Sequence, residues 1–196
     1  MNDVTKKPPG RPRSAQSHQA ILQATLELLA EVGFERMSIE AIATRAGVGK
    51  TTIYRRYDSK EELVADAIES LREEIVLPDT GTLWGDMDAL IQNAAQITLS
   101  PLGRQTVAMI ISSASSNPQF AQIYWTKYLQ PRRQAFAVVI ERAKTRNEIQ
   151  ANIDPDLVFD TMSGIMLYAQ IFQPTSELWE ACVRSALHLI LRKPLG

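Results

Sequence analysis

The stretch Met37–Lys60, MSIEAIATRAGVGKTTIYRRYDSK, decides how the rest of the chain is read. Ser38 stands where a hydroxyl can accept from an otherwise unpaired N–H of a first helical turn. Ile39, Ile42, Ala43 and Ala46 recur at intervals of three and four, which makes one narrow apolar face. Gly47 follows, where a sharp reversal needs a residue that tolerates positive φ. A second short helix, from about Gly49 to Tyr57, is expected to bury Val48 and Ile53. It turns Lys50, Thr51, Thr52, Tyr54, Arg55 and Arg56 outward. Ala43 is small enough for the two helices to cross closely, and the pair makes a helix-turn-helix.

The outward residues are of the types that bind DNA. Lys and Arg neutralise phosphates, and Thr and Tyr hydroxyls bond to phosphate oxygens or base edges. Thr51, Thr52, Tyr54 and Lys50 are expected to meet bases and phosphates; Ser38, Arg55, Arg56 and Lys60 are expected to hold mainly the backbone. The run AGVGKTTIYRRYDSKEEL resembles the DNA-binding signature of TetR-type transcriptional regulators, in its Gly-Val turn, its Thr-Ile-Tyr centre and its Ser-Lys-Glu-Glu-Leu start of the next helix. The resemblance covers roughly Ser17 to Ala67; beyond that it extends only to length and helical layout. It implies an all-α fold, a homodimer with a four-helix interface, a palindromic DNA operator, and a small-molecule effector bound in the C-terminal part. It also supports a phosphate contact for Lys60.

GVGKTT also looks like part of a phosphate-binding loop, G-x-x-x-x-G-K-[ST]. The first glycine of that loop would fall on Thr44, and a two-glycine variant would need glycine at Ala46. The preceding segment reads as an amphipathic helix rather than a buried strand, so the nucleotide reading fails on context. No Gly-x-Ser-x-Gly and no metal-spaced His/Cys set appears, and the two histidines lie far apart. The expectation is that the chain is not an enzyme and needs no cofactor or metal. The remaining rival is a non-specific architectural DNA binder.

Charge supports a protein that offers one end to DNA. Residues 1–60 hold ten Lys or Arg against six Asp or Glu, and residues 61–196 hold eleven against sixteen. Hydrophobic content of 45% is ample for a real core. No signal-peptide core and no membrane-length apolar run is visible, and the single Cys182 fits a reducing compartment, so a cytoplasmic location is expected.

Residues 1–13 are expected to be a flexible basic arm, in which Arg11 and Arg13 either reach the minor groove or backbone or simply lie solvated. Residues 14–76 form the expected DNA-binding domain. Its first helix ends at Gly33, and a long fourth helix is capped by Ser59 and Glu62 and runs to about Val76. His18 is expected to be exposed or to touch phosphate. Residues 77–196 form a C-terminal ligand-binding and dimerisation domain. Its helices are expected over about 83–99, 102–115, 117–146, 155–172 and 176–191, the last opened by Pro174-Thr175-Ser176. Phe159, Met162, Ile165, Ala169, Phe172, Leu178, Cys182 and Leu189 exceed what one helix pair needs for its own core, and are candidates for a two-fold interface. Trp84, Met87, Met109, Phe120, Tyr124, Trp125, Tyr128 and Met166 are candidates to line an apolar cavity. Their spacing by itself suits plain core filling; the cavity is what the resemblance implies.

Overall fold

The computed structural model describes residues 11–71, 77–172 and 175–191, with side chains from residue 15 onward. It is all-α, with no strand among the described residues. Four N-terminal helices come first: α1 (Arg11–Arg36), α2 (Ile39–Ala46), α3 (Lys50–Tyr54) and α4 (Lys60–Glu69). The larger C-terminal part follows: α5 (Leu83–Thr98), α6 (Pro101–Ser116), α7 (Pro118–Tyr124), a π-helical segment Trp125–Leu129, α8 (Gln130–Thr145), α9 (Pro155–Phe172) and α10 (Ser176–Leu191).

Several boundaries differ from expectation. The first helix begins at Arg11, so the backbone at Arg11 and Arg13 is helical rather than part of a flexible arm; residues 1–10 lie outside the described residues. Gly33, at φ 77° and ψ 169°, interrupts α1 where the helix was expected to end. Residues 72–76, through which α4 was expected to continue, lie outside the described residues, as does Pro174 before α10. The expected single helix over 117–146 is broken by the π segment. Pro131 has no N–H to give and its ring crowds the preceding turn, and just before it Gln130 N–H bonds back five residues to the Trp125 carbonyl.

Apolar burial is divided between two cores. Ile21, Leu29, Phe34, Ile42, Ile53, Leu63 and Ile68 centre the first. Phe120 and Tyr124 of α7 join it, with Phe120 edge-on to Phe34 at 5.7 Å between ring centroids. The packing boundary therefore does not coincide with the sequence boundary near residue 76: α7 is inserted into the core of the N-terminal helices. The second core gathers Met87, Ile91, Phe136, Ile140, Val158, Trp179 and Leu187 from α5, α8, α9 and α10. Trp179 is fully buried, and its indole N–H donates to the Met166 carbonyl at 3.0 Å, which pins α10 to α9.

Candidate functional site

The turn between α2 and α3 is built by local chemistry. Ser38 Oγ accepts from Ala41 N–H at 3.2 Å and opens α2. Gly47 takes the left-handed conformation, φ 65° and ψ 33°, and Val48 N–H reaches the Ala43 carbonyl at 3.0 Å. A side chain at Gly47 would be strained there whatever the space around it. Gly49 is extended and starts α3. Ile53 is fully buried and roots α3 in the first core. Tyr57 is buried as well, with its hydroxyl 2.8 Å from His18 Nε2. Burial, then the nearby Asp66 carboxylate, pushes the Tyr57 phenol up to about 12, so it stays neutral. His18 is thus tied inward to Tyr57, not turned to solvent as expected.

With Ile53 as the root, the opposite side of α3 is left outward. Thr51 and Arg55 are exposed, Tyr54 is 54% exposed, and Thr52 and Arg56 are half-buried. Lys50 is exposed and pairs with Glu40 at 3.0 Å; that bond, more than the through-space attraction, raises the Lys50 pKa. Exposed pairs of this kind contribute little to stability, so a phosphate can displace Glu40. The Ser38 hydroxyl oxygen accepts the cap bond, and its O–H can still donate to a phosphate.

Lys60 is placed differently from expectation. Its Nζ donates to the Phe34 carbonyl at 3.0 Å and the Met37 carbonyl at 3.3 Å, and lies 4.4 Å from the centroid of the Phe34 ring. The carbonyls at the end of α1 need donors, and a lysine one helix away supplies them. Lys60 is a tie between α4 and α1 before it is a phosphate ligand. Arg11 and Arg13 carry side chains outside the described residues.

The C-terminal part holds a cavity of about 320 Å³ lined by residues of α5 to α9, among them Leu90, Ile110, Phe136, Phe159 and Met162. Of the eight side chains expected to line one, only Tyr124 and Met166 do so. Met87 and Phe120 are fully buried in the two cores. Trp84 stacks on His188 with 3.6 Å between centroids, Met109 packs against the first core, Trp125 lies under Arg133, and Tyr128 donates to Asp66. These last four are thus taken up by partners or packing elsewhere, and the void is walled by Tyr124, Phe136 and Phe159 together with aliphatic side chains.

Between cavity and helix-turn-helix stands a polar contact that sequence reasoning missed. Glu62, Asp66 and Glu69 line one side of α4. Lys127 Nζ donates to Glu62 at 3.1 Å and to Asp66 at 2.7 Å. Tyr128 donates to Asp66, Tyr124 donates to Glu69 at 3.1 Å, and Arg132 donates to Glu69. Burial opposes the charge on Lys127, but the two carboxylates outweigh it and raise its pKa. Burial, then the Asp66 bond, pushes the Tyr128 phenol up. The spacing of three acids at i, i+4 and i+7 on α4 was the available signal.

The expected interface residues also sort by geometry. Met162 and Ala169 face inward, and Phe159 and Ile165 are half-buried against the second core, Phe159 also walling the cavity. Cys182 is half-buried. Phe172, Leu178 and Leu189 are exposed, joined by Leu157, Tyr168 and Ile171, which the sequence reading did not select. A helix shows one side to its own core and another to solvent, and apolar residues on both sides look alike in sequence.

Among the described residues no helix is long and apolar enough to cross a membrane, and no group of three His, Cys, Asp or Glu could hold a metal ion. Residues 21–67 match the family described as bacterial regulatory proteins, tetR family, and residues 77–190 match the tetracyclin repressor-like C-terminal domain. An uncharacterized HTH-type transcriptional regulator of Bacillus subtilis, YdeS, is 31% identical over 160 residues, 81% of this chain and 80% of its own. The DNA-binding transcriptional repressor TetR of Mycobacteroides abscessus is 27% identical over 170 residues, 81% of this chain and 82% of its own. The structure of the flavonoid-responsive regulator FrrA shares the fold at a TM-score of 0.71, with 21% identity over 93% of this chain and 100% of its own.

Proposed function

The chain belongs to the TetR family of bacterial regulatory proteins, and on that premise we propose that it works as a homodimeric repressor released from a palindromic operator by a small, largely apolar effector. It is a DNA-binding transcriptional regulator and not an enzyme. The observation that carries the proposal is the outward face of α3, where Thr51, Tyr54 and Arg55 are exposed around a fully buried Ile53. A short helix so rooted enters a major groove as a rigid reader. Thr51, Thr52, Tyr54 and Lys50 meet bases and phosphates, and Ser38, Arg55 and Arg56 hold the backbone. Arg11 and Arg13, at the start of α1, add basic contacts beside it.

Two further observations support the finer parts. Leu157, Tyr168, Ile171 and Phe172 on α9, with Leu178 and Leu189 on α10, leave an apolar face in solvent that a two-fold mate would cover. The cavity of about 320 Å³ is of a size for a small ligand. In the proposed mechanism the ligand changes the tilt of α4 and so the spacing of the two α3 helices. Coupling of ~1–3 kcal/mol would shift DNA affinity about 5- to 150-fold. The names of two relatives, a repressor and a flavonoid-responsive regulator, agree with this mode of action. Residues 14–76 and 77–196 would be the corresponding DNA-binding and effector domains.

Selection from random DNA tests the reading. A palindromic consensus with half-sites about one turn apart supports it. Enrichment of no consensus, with binding to every duplex alike, would replace it with a non-specific architectural role.

A further inference from the structure

The wall of the cavity narrows what it can take; this step rests on reading the cavity as the effector site. The described lining is apolar on most sides, and Arg132 is its one charged side chain. Its guanidinium is only partly used. Nη2 donates to Glu69 on α4, while Nη1 is buried and has no hydrogen-bond partner among the described residues. A buried charged donor left unmade is costly, so an acceptor brought to it through the cavity gains more than it would on the surface. A cationic ligand would be repelled there, and a neutral hydrocarbon would leave Nη1 as it is. An acidic group fits the guanidinium with two oxygens.

Glu69 gives that binding a consequence. It is held by Arg132 and by the Tyr124 hydroxyl, and both of those side chains line the cavity. We infer that the effector is a compact apolar anion, a small ring system or short chain bearing one carboxylate or similar acid, which binds Arg132 and competes with Glu69 for it. The two negative groups share one guanidinium and repel each other, so occupancy of the cavity loosens α4 from α8. By linkage, anything that holds α4 against Arg132 weakens the anion.

Two fluorescent probes with one ring system test this on the full chain: anilinonaphthalene sulfonate, an anion, and N-phenylnaphthylamine, its neutral counterpart. In Arg132→Met the ratio of anion to neutral affinity should fall about tenfold, with the neutral probe changing less than about twofold. Glu69→Gln removes the competing negative charge from the guanidinium and should raise the same ratio several-fold. A ratio unchanged in Arg132→Met, or unchanged or lowered in Glu69→Gln, overturns the anionic class while leaving the cavity reading standing. Ala94→Trp fills the cavity and should weaken both probes by about tenfold or more. Undiminished binding of both in that variant overturns the cavity as the effector site, a different failure from the first.

Discussion

The N-terminal and C-terminal parts dispose of their apolar side chains in different ways. Among the described residues of α1–α4, Tyr54 is the one large apolar side chain left exposed, and it sits on the face proposed for DNA. Across α5–α10, Leu157, Tyr168, Ile171, Phe172, Leu178 and Leu189 remain in solvent, and a void remains open inside. Fully burying a side chain of this size contributes about 1.5–3 kcal/mol. The first region, its core completed by Phe120 and Tyr124 of α7, has nearly exhausted that gain. The second leaves part of it unused, on the face and in the cavity proposed above for a second copy and a ligand. What distinguishes the face proposed for DNA is exposed polar groups; what distinguishes the other surfaces is exposed apolar ones.

The contrast can be broken most directly at Ile53. Ile53→Ala should lower the stability of the N-terminal helices by about 2–5 kcal/mol, because a tightly closed core cannot collapse around the gap. A denaturant titration followed by helix signal measures it; a loss under about 1 kcal/mol would mean that the first core is as loosely filled as the second. On the opposite side of the comparison, Tyr168→Glu with Phe172→Glu should leave the fold intact and weaken dimerisation roughly a hundredfold or more. Sedimentation equilibrium reads this directly, and an unchanged dimer would remove the α9/α10 face from the interface.

Lys60→Ala should cost about 1–2 kcal/mol of stability through the lost bonds to Phe34 and Met37, discounted for its partial exposure. DNA affinity should be nearly unchanged at temperatures where the variant is fully folded. A uniform loss of DNA binding with unaltered melting would return Lys60 to the phosphate-contact set. Thr52→Ala should relax base preference at one operator position by about 1 kcal/mol while affinity for random duplex is retained.

The smallest effect concerns acid. The Glu62 carboxyl is held below its usual 4.5, first by the Asp58 N–H it accepts from and then by Lys127. Its contribution to docking α4 against the π segment is therefore complete above 4.5 and is lost as pH falls through the lowered value. Glu62→Gln should flatten the acid limb of the stability curve. A limb of unaltered slope would show that the Asp66 and Glu69 contacts carry the docking alone.

How far these features could be read in advance depends on the range of the interactions behind them. The helix-turn-helix was readable because its causes lie within a few residues. Ser38 caps three positions ahead, Gly47 reverses the chain in place, and Ile53 is the one aliphatic residue of the short helix KTTIY, so only one face can go inward. The capping of α4 was readable for the same reason, although the Glu62 carboxylate closes on Asp58 rather than on the cap residue itself. Which polar groups stay free was not readable. Lys50 and Lys60 look alike in sequence, yet one lies against an exposed glutamate and the other bridges two carbonyls more than twenty residues away.

The amino-acid sequence by itself determined the helical class, the reading helix and its turn, because periodicity, capping and glycine stereochemistry act locally and need no partner. Tertiary structure alone decided the cavity wall, the Arg132–Glu69 contact and which side of α9 and α10 meets solvent. Those depend on how whole helices cross, and a helix bearing apolar residues on more than one side carries no local mark of which side will find a neighbour.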